Sequence, residues 1–314
     1  MTDERCIQGL GRVPAELRGC VLTIGNFDGV HVGHRRIVAL AGELAGGRAP
    51  VVALTFEPPP NLLLRPGDVP RRLTLPDEKC RLLLAAGAGW VVTAETTAEL
   101  LSLTADDFIA RVALERFAPR AIVEGPDFFF GRGRAGSVET LRAAGAKAGF
   151  EVRLAEPVTI DLPAEGRQAV SSTLVRRLLL EGRVDAAARC LGRPYAMSGR
   201  VVAGRRVGRL LEYPTANLEP GEQLVPADGV YAGWATMGRE VHAAAVSIGS
   251  KPTFDGGGQR AVEAFLLGGS GDYYGRRLTI AFARRLRDQE RFPGAEALKA
   301  QIARDVESVR GICR

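Results

Sequence analysis

Two of the three histidines in the chain, His31 and His34, lie three residues apart in the stretch Gly-Asn-Phe-Asp-Gly-Val-His-Val-Gly-His that begins at Gly25. This stretch follows an apolar run at residues 20–24 and precedes a segment with helical spacing that begins near His34. A helix N-terminus binds phosphate readily, because its N–H groups are unpaired and carry partial positive charge. Glycines such as Gly25 and Gly33 let the backbone approach a ligand closely.

Two imidazoles at such a site can donate hydrogen bonds to the charge that develops on an α-phosphate. One preorganised donor of this kind contributes about 3–4 kcal/mol to transition-state stabilisation. The pattern therefore predicts direct nucleotidyl transfer, without a protein nucleophile. The alternative interpretation is that His31 and His34 are ordinary turn and cap residues.

A second candidate site lies at Pro214-Thr-Ala-Asn, where Thr215 and Asn217 are two residues apart on an extended segment. Residues at this spacing face the same side of a strand. Their oxygens suit a hard cation such as Mg²⁺, which commonly shares phosphate ligands. A glycine-bearing stretch that includes Gly204 and Arg209 comes just before and could cover phosphates. The alternative is a turn with solvated side chains.

Two further segments contain polar residues that are candidates for catalysis or phosphate binding. Glu263 interrupts an apolar run at residues 261–267, and a carboxylate on the inner face of a barrel is costly unless it is used or paired. Strand alternation could instead place Glu263 in solvent. Ser171 or Ser172 can cap a helix over residues 173–180, so that N–H groups and Arg176 face phosphates, or the motif is simply a helix cap.

The first half of the chain alternates strand-like and helix-like segments. This alternation predicts an α/β fold with a parallel, doubly wound sheet. The predicted strands are residues 20–24, 51–56, 90–93, 121–124 and 151–154, and the predicted helices are residues 36–44, 77–86, 104–117 and 138–148.

The pattern changes near residue 195, where closely spaced β-rich segments begin. They are residues 197–203, 229–237, 240–248, 262–267 and 277–282, and a helix over 294–309 follows. Such a pattern predicts a small antiparallel β-barrel with a C-terminal helix. We therefore expect two domains, residues 1–195 and 196–314.

Composition indicates the class of protein and its compartment. The 314 residues include 42 Lys and Arg against 36 Asp and Glu, which gives a net charge of +6. The basic runs are short, so we do not expect nucleic acid to be a partner. There is no apolar run of about 18 residues and no secretory pattern, so we expect no membrane segment. Five scattered cysteines favour a reducing cytoplasm over a disulfide framework.

The N-terminal half resembles a known family. With Phe27 and Asp28 in front of His-x-Gly-His, it is similar to the FMN adenylyltransferase domain of the prokaryotic bifunctional riboflavin kinase/FAD synthetase family. The resemblance includes the loop 125–136, which carries Asp127, and the motif Ser171-Ser172-Thr173-Leu-Val-Arg176. Pro59 is a departure, because the family has a histidine there and proline has no side-chain donor.

The C-terminal half resembles the riboflavin kinase of the same family, through residues 199–218 with Pro214, Thr215 and Asn217. In that family the glutamate at the position of Glu263 is the proposed base for the riboflavin 5′-hydroxyl. The departures are Arg206 and Glu212 in place of glycines, Ser247 in place of asparagine, and Phe265 in place of histidine.

The resemblance implies a cytoplasmic two-domain transferase with riboflavin, FMN and ATP as substrates. ATP and riboflavin would give FMN and ADP in the C-terminal domain, and ATP and FMN would give FAD and pyrophosphate in the N-terminal domain. His31, His34 and Arg176 would stabilise phosphate, Asp28 and Asp127 would place ligands, and Thr215 and Asn217 would hold Mg²⁺.

Two alternatives stay open. Pro59 suggests a riboflavin kinase whose N-terminal domain is inactive. Arg206 and Glu212 suggest a flavin-binding or sensing protein without turnover.

Overall fold

The structure is a computed structural model, and it describes residues 3–64, 67, 70–203, 215–250, 260–269 and 272–314. The chain forms two compact units. The first comprises Met1–Pro70 and Thr74–Val170, and the second comprises Arg71–Leu73 and Ser171–Arg314. The division by function at residue 195 stays a prediction.

A six-stranded sheet organises the first unit, and all its strand pairs are parallel. The order is β1-β4-β3-β2-β5-β6, which confirms the predicted doubly wound sheet. The strands are β1 (Cys6–Gln8), β2 (Val21–Ile24), β3 (Val51–Glu57), β4 (Trp90–Glu95), β5 (Ala121–Glu124) and β6 (Glu151–Leu154). Sequence analysis missed β1, a short strand at the edge of the sheet that pairs with β4.

Helices connect these strands and cover the sheet. They are α1 (Val32–Ala45), α2 (Pro60–Leu64), α3 (Pro76–Ala85), α4 (Ala98–Ser102), α5 (Ala105–Phe108), α6 (Glu115–Phe117) and α7 (Val138–Ala148). A π-helical segment, Ile109–Leu114, joins α5 to α6, so the predicted helix over 104–117 is continuous. Thr104 and Ser137 cap α5 and α7 as their residue types predict, each accepting a backbone N–H.

The central strands β2 and β5 are buried along their whole length, as expected for parallel strands with helices on both faces. An antiparallel hairpin, β7 (Thr159–Leu162) and β8 (Gly166–Ala169), follows the sheet. The strand β8 is largely exposed and polar, and β7 has a single buried residue, Leu162, so neither strand shows the buried apolar run by which the other strands were recognised.

The second unit contains two helices, a closed antiparallel barrel and a C-terminal helix, which confirms the predicted barrel. The barrel order is β10-β13-β12-β11-β14-β9. The elements are α8 (Ser172–Leu180), α9 (Val184–Leu191), β9 (Tyr195–Val202), β10 (Thr215–Glu219), β11 (Gly229–Met237), β12 (Glu240–Ser250), β13 (Arg260–Leu266), β14 (Arg277–Arg287) and α10 (Ala295–Ile312).

The cysteines differ from the expectation. Cys6 on β1 and Cys80 on α3 form a disulfide across a sequence separation of 74 residues, with Cα atoms 6.4 Å apart. The sequence could not indicate this pair, because the pairing of β1 with β4 is what brings Cys6 to α3. Cys20, Cys190 and Cys313 are free. Within the described ranges, no helix combines the length and apolar composition that a bilayer crossing requires.

Candidate active sites

The helix after the first histidine begins two residues earlier than predicted. Helix α1 begins at Val32, and His31 is its N-cap residue. The Nδ1 atom of His31 accepts a hydrogen bond from the backbone N–H of His34 at 3.3 Å. His31 is therefore a helix-cap residue, as the alternative interpretation predicted. The cap hydrogen bond also indicates the tautomer of His31, since an accepting Nδ1 leaves the ring proton of a neutral imidazole on Nε2.

The two imidazoles stack on each other, with ring centroids 3.6 Å apart and an interplanar angle of 19°. Gly33 makes this stack possible, because a Cβ at this position would lie 3.1 Å from Cε1 and Nδ1 of His31. The Phe27 ring meets His34 edge-on at 5.2 Å. The two histidines, which the sequence singled out, are thus brought together as a pair at the N-terminus of α1.

His34 is held in its neutral form. Burial lowers the pKa of His34 well below 6.5, and electrostatic interactions with His31 and Lys79 lower it further. Its Nδ1 atom is buried and has no hydrogen-bond partner among the described residues. A neutral imidazole keeps one donor and one acceptor, which suits hydrogen bonding to phosphate oxygens without a change of charge.

The turn that carries the histidines is strained and is anchored by Thr74. Phe27 and Val30 have positive φ values of 47° and 39°, which residues other than glycine seldom adopt. Asp28 Oδ1 accepts hydrogen bonds from the backbone N–H and the hydroxyl of Thr74, and the Gly29 N–H donates to the same hydroxyl. In the described contacts Asp28 therefore positions the turn, and its predicted contact with ligands stays a prediction.

The turn lies where parallel sheets bind ligands. It follows β2 at Gly25, and the sheet order reverses between β2 and β5. Crevices at such a switch point, at the carboxyl ends of the strands, are the usual ligand sites of open α/β sheets. The loop after β5 carries Asp127, which is exposed.

Glu124, the last residue of β5, is a buried acid at this switch point that sequence analysis missed. The ladder between β2 and β5 ends at Leu22 and Ile122. Beyond it, the Ile24 N–H donates to Glu124 Oε1 at 2.6 Å. Burial raises the pKa of Glu124 well above 4.5, against the opposing effect of that hydrogen bond. In the sequence this residue is simply the end of an apolar strand, so no local signal identifies it.

The serine-rich motif belongs to the second unit, and it caps a helix as its sequence predicts. Ser171 Oγ accepts the Leu174 N–H at 3.1 Å, so α8 begins at Ser172, one residue before the predicted start. Arg176 Nε donates to the Arg71 carbonyl oxygen at 3.0 Å. Thr173 is exposed. The roles of Ser171, Ser172, Thr173 and Arg176 toward phosphate stay predictions.

The second candidate site lies across neighbouring barrel strands. Asn217 on β10 is directly opposite Glu263 on β13, which in turn is opposite Ser247 on β12. Side chains directly opposite in antiparallel strands share one face. Asn217 is 9% exposed, and Thr215 Oγ1 lies 3.5 Å from Glu263 Oε2. The structure thus brings together the three barrel residues that the sequence selected.

Glu263 lies on the face of β13 opposite the barrel core. Val262, Ala264 and Leu266 are buried, and Glu263 alternates with them and is half-buried. Glu263 is therefore not on the inner face of the barrel, and it is half-buried rather than fully in solvent. Gly199 allows β9 to approach β10 closely, since a Cβ at this position would collide with the Glu219 carbonyl oxygen.

Several residues that the sequence analysis singled out lie outside the described residues. They are the predicted loop residues Gly204, Arg209 and Pro214, and the departures Arg206 and Glu212.

The donor set of this barrel site consists of oxygens. The Thr215 hydroxyl, the Asn217 amide and the Glu263 carboxylate are hard ligands of the kind that Mg²⁺ prefers. A cluster of three or more His, Cys, Asp or Glu suited to a metal is not found among the residues that the structure describes. Of the three donors at this site, only the Glu263 carboxylate carries a negative charge.

Comparisons with known proteins identify relatives of both halves of the chain. A family model described as FAD synthetase matches residues 13–174, and one described as riboflavin kinase matches residues 191–313. Relatives from Escherichia coli (strain K12) and Pseudomonas fluorescens, both described as bifunctional riboflavin kinase/FMN adenylyltransferase, are 37% and 38% identical. The matches span 98% of this chain and 96% and 97% of the relatives.

A solved structure from Streptococcus pneumoniae, described as a macrolide-efflux protein, has the same fold over both units. It is 30% identical, with a TM-score of 0.87, and the match covers 97% of this chain and 98% of that one. With the FAD synthetase region in the N-terminal half and the riboflavin kinase region in the C-terminal half, this chain belongs to the bifunctional riboflavin kinase/FMN adenylyltransferase family.

Proposed function

We propose that this chain catalyses both reactions of its family, with the imidazole pair serving adenylyl transfer and the barrel oxygens serving phosphoryl transfer. The observation that carries the proposal is the separation of two chemically different clusters. His31 and His34 stack at a helix N-terminus in the first unit, and Thr215, Asn217 and Glu263 share one face of the barrel in the second.

In adenylyl transfer, a phosphate oxygen of FMN attacks the α-phosphorus of ATP and the bond to the pyrophosphate oxygen breaks. Negative charge grows on the α-phosphate oxygens during this exchange. In this proposal the Nε2–H of His31 and the N-terminus of α1 donate hydrogen bonds to this charge, and neutral His34 adds another donor.

In the kinase reaction, the riboflavin 5′-hydroxyl gives its proton to Glu263 as its oxygen bonds to the γ-phosphorus and ADP leaves. Such transfers depend mainly on positioning and charge neutralisation, with a carboxylate to accept the proton. Thr215 and Asn217 would hold Mg²⁺, which neutralises phosphate charge when bound. The half-buried position of Glu263 next to these oxygens supports this assignment.

Cytoplasmic localisation is part of the proposal, because both reactions consume ATP. In a reducing compartment the Cys6–Cys80 pair is expected in the thiol form. Alkylation of thiols in freshly lysed cells, followed by mass spectrometry, measures its state. A disulfide in most molecules would contradict a reducing location.

Paired variants test the assignment of one cluster to each reaction. Glu263→Gln should lower FMN formation from riboflavin by about 10²–10⁴-fold and leave FAD formation from added FMN unchanged. His34→Asn should lower FAD formation by about 10²–10³-fold and leave FMN formation unchanged. Matched controls are Glu219→Gln, at the exposed end of β10, and His242→Asn, the third histidine. Both flavin products are resolved by chromatography.

Other outcomes identify the alternatives. Wild-type protein that makes FMN but no FAD from FMN, ATP and Mg²⁺ would be a riboflavin kinase alone, as Pro59 suggests. Tight flavin binding without any ATP turnover would indicate a sensing protein. Loss of both activities in either single variant would contradict two independent sites.

A further inference from the structure

Lys79, on α3, is a buried cation to which the two reactions above assign no role. Its exposed fraction is 5%, and it is the one lysine or arginine among the described residues that is buried. Removing an ammonium group from water costs several kcal/mol unless the protein supplies strong partners. Lys79 therefore needs strong partners to remain charged next to the turn that is proposed to bind phosphate.

The Lys79 ammonium joins two pieces of backbone at the carboxyl edge of the sheet. Nζ donates to the carbonyl oxygen of Asn26, in the histidine turn, and to that of Phe56, near the end of β3. Both distances are 3.3 Å. The Asn26 carbonyl also accepts from the buried Thr55 hydroxyl at 3.2 Å. The start of the turn is therefore tied to β3 by Lys79 and Thr55.

This anchoring matters because the turn does not hold its shape by itself. Phe27 and Val30 lie in the left-handed region, which costs of order 1–3 kcal/mol per residue and persists only where surrounding contacts maintain it. Thr74 holds the middle of the turn through Asp28 and Gly29, and Lys79 holds its beginning. The positions of both imidazoles depend on this conformation.

We infer that Lys79 is a positioning residue for adenylyl transfer, which holds the histidine turn against β3 and places a fixed positive charge at its base. The inference rests on the proposed role of His31 and His34. It goes beyond that role, because it assigns the geometry and the charge state of the pair to a residue 45 positions further along the chain than His34.

The charge of Lys79 has a measurable effect through His34. The titratable groups that lower the pKa of His34 are His31, in the same turn, and Lys79, on α3, in addition to burial. Removing the lysine charge therefore raises the pKa of His34. A residue that only filled space would not change this pKa when replaced by a neutral side chain of similar length.

The test is Lys79→Met in the full chain, with Lys147→Met as the matched control on the exposed side of α7. Lys79→Met should lower kcat for FAD formation by roughly 100-fold, since misplacement of reacting groups by about 1 Å has effects of this size. The acid limb of its pH–rate profile should move to higher pH. FMN formation by the barrel site in the same protein should be unchanged, and Lys147→Met should change neither activity.

Histidine NMR gives a readout that does not depend on activity, because the chain has only three histidines. The His34 ring should titrate at higher pH in Lys79→Met than in wild type or Lys147→Met. Lys79→Gln, which loses the charge but retains a donor, should give the same shift with a smaller loss of kcat, and it carries the test if the methionine variant does not fold.

An unchanged His34 titration, or wild-type kcat for FAD formation in these variants, would overturn the inference. If His34→Asn left FAD formation intact, the proposed role of the histidines would fail separately from that of Lys79, whose effect on the His34 pKa would still be measurable.

Discussion

Glu124 is a carboxylic acid that the fold keeps protonated above its ordinary pKa of 4.5. It lies where β2 and β5 separate and accepts the Ile24 N–H, so it replaces a missing ladder hydrogen bond. Because the folded-state pKa exceeds the unfolded-state pKa, the native state binds more protons between the two values. Stability contributed by this group is therefore complete below pH 4.5 and is lost as the pH rises toward the folded-state pKa.

Glu124→Gln removes this titration and retains a side-chain oxygen that accepts the Ile24 N–H. We expect the free energy of unfolding of the variant to exceed that of wild type at pH 8 and to match it near pH 4. Between the unfolded-state and folded-state pKa values of Glu124, the difference in unfolding free energy between variant and wild type should grow by about 1.4 kcal/mol per pH unit. Denaturant unfolding at several pH values measures it. Glu95→Gln, at the exposed end of β4, is the control and should leave the pH dependence unchanged.

At the scale of elements, α1 contains two glycines that differ in whether a side chain would fit at their positions. Gly33 lies in the first turn, where a Cβ would approach the His31 ring to 3.1 Å. Gly42 lies in the same helix, and a Cβ there would meet nothing within 4 Å. A side chain at position 33 would press on the stacked imidazoles, whereas Gly42 only weakens the helix.

Gly33→Ala should displace the His31 ring and lower kcat for FAD formation by about 10-fold or more, with little change in FMN formation. Gly42→Ala should leave both activities unchanged and stabilise the protein by about 0.5–1 kcal/mol. Steady-state kinetics and thermal unfolding of the two variants give the comparison. Equal kinetics in both would contradict the requirement for glycine at position 33.

A buried ion pair joins helix α10 to the barrel. Arg287 on β14, 16% exposed, donates to both carboxylate oxygens of Asp305, which is 8% exposed, at 2.8–3.2 Å. Gln301 Nε2 donates to Asp305 Oδ1 at 2.9 Å. The carboxylate thus satisfies donors on β14 and on α10 itself.

Asp305→Ala leaves the Arg287 charge half-buried without this partner, and we expect a loss of about 3–5 kcal/mol of unfolding free energy. Glu307→Ala removes an exposed pair with Arg310 on the same helix and should cost close to nothing. Chemical denaturation monitored by circular dichroism separates the two. A loss below 1 kcal/mol for Asp305→Ala would show that the pair does not stabilise the helix on the barrel.

At the scale of the whole molecule, the second unit includes three residues from far upstream, Arg71–Leu73. The Leu224 N–H donates to the Arg72 carbonyl oxygen at 2.8 Å, and Gln223 Nε2 donates to that of Leu73 at 3.3 Å. Leu73 is fully buried. A segment inside the FAD synthetase match at residues 13–174 therefore stabilises the unit that contains the barrel.

Leu73→Ala should consequently destabilise the riboflavin kinase unit, by about 2–5 kcal/mol for a buried leucine. The measurement is the temperature at which FMN formation is irreversibly lost. Leu64→Ala, at an exposed position of α2, is the control and should not change that temperature. Equal inactivation temperatures for Leu73→Ala and wild type would refute the contribution of this segment to the barrel unit.

The sequence by itself determined the α/β sheet, the barrel and the identity of the main polar clusters. Hydrophobic period and turn residues are local, so alternating segments predicted β2 to β6 and five of the six barrel strands, with β10 expected only as an extended segment. Residue type and close spacing selected His31 and His34, and Thr215 and Asn217. The Ser171 cap also follows from the residue type at a helix start.

Only the tertiary structure decided which distant residues complete these clusters. Lys79 and Asn26 are 53 residues apart, Ile24 and Glu124 are 100 apart, and Gln223 and Leu73 are 150 apart. A buried lysine and a buried glutamate also oppose the usual rule for charged residues, so local patterns predict exposure. Their positions follow from strand order and helix packing, because these bring together backbone groups that have no sequence relation to each other.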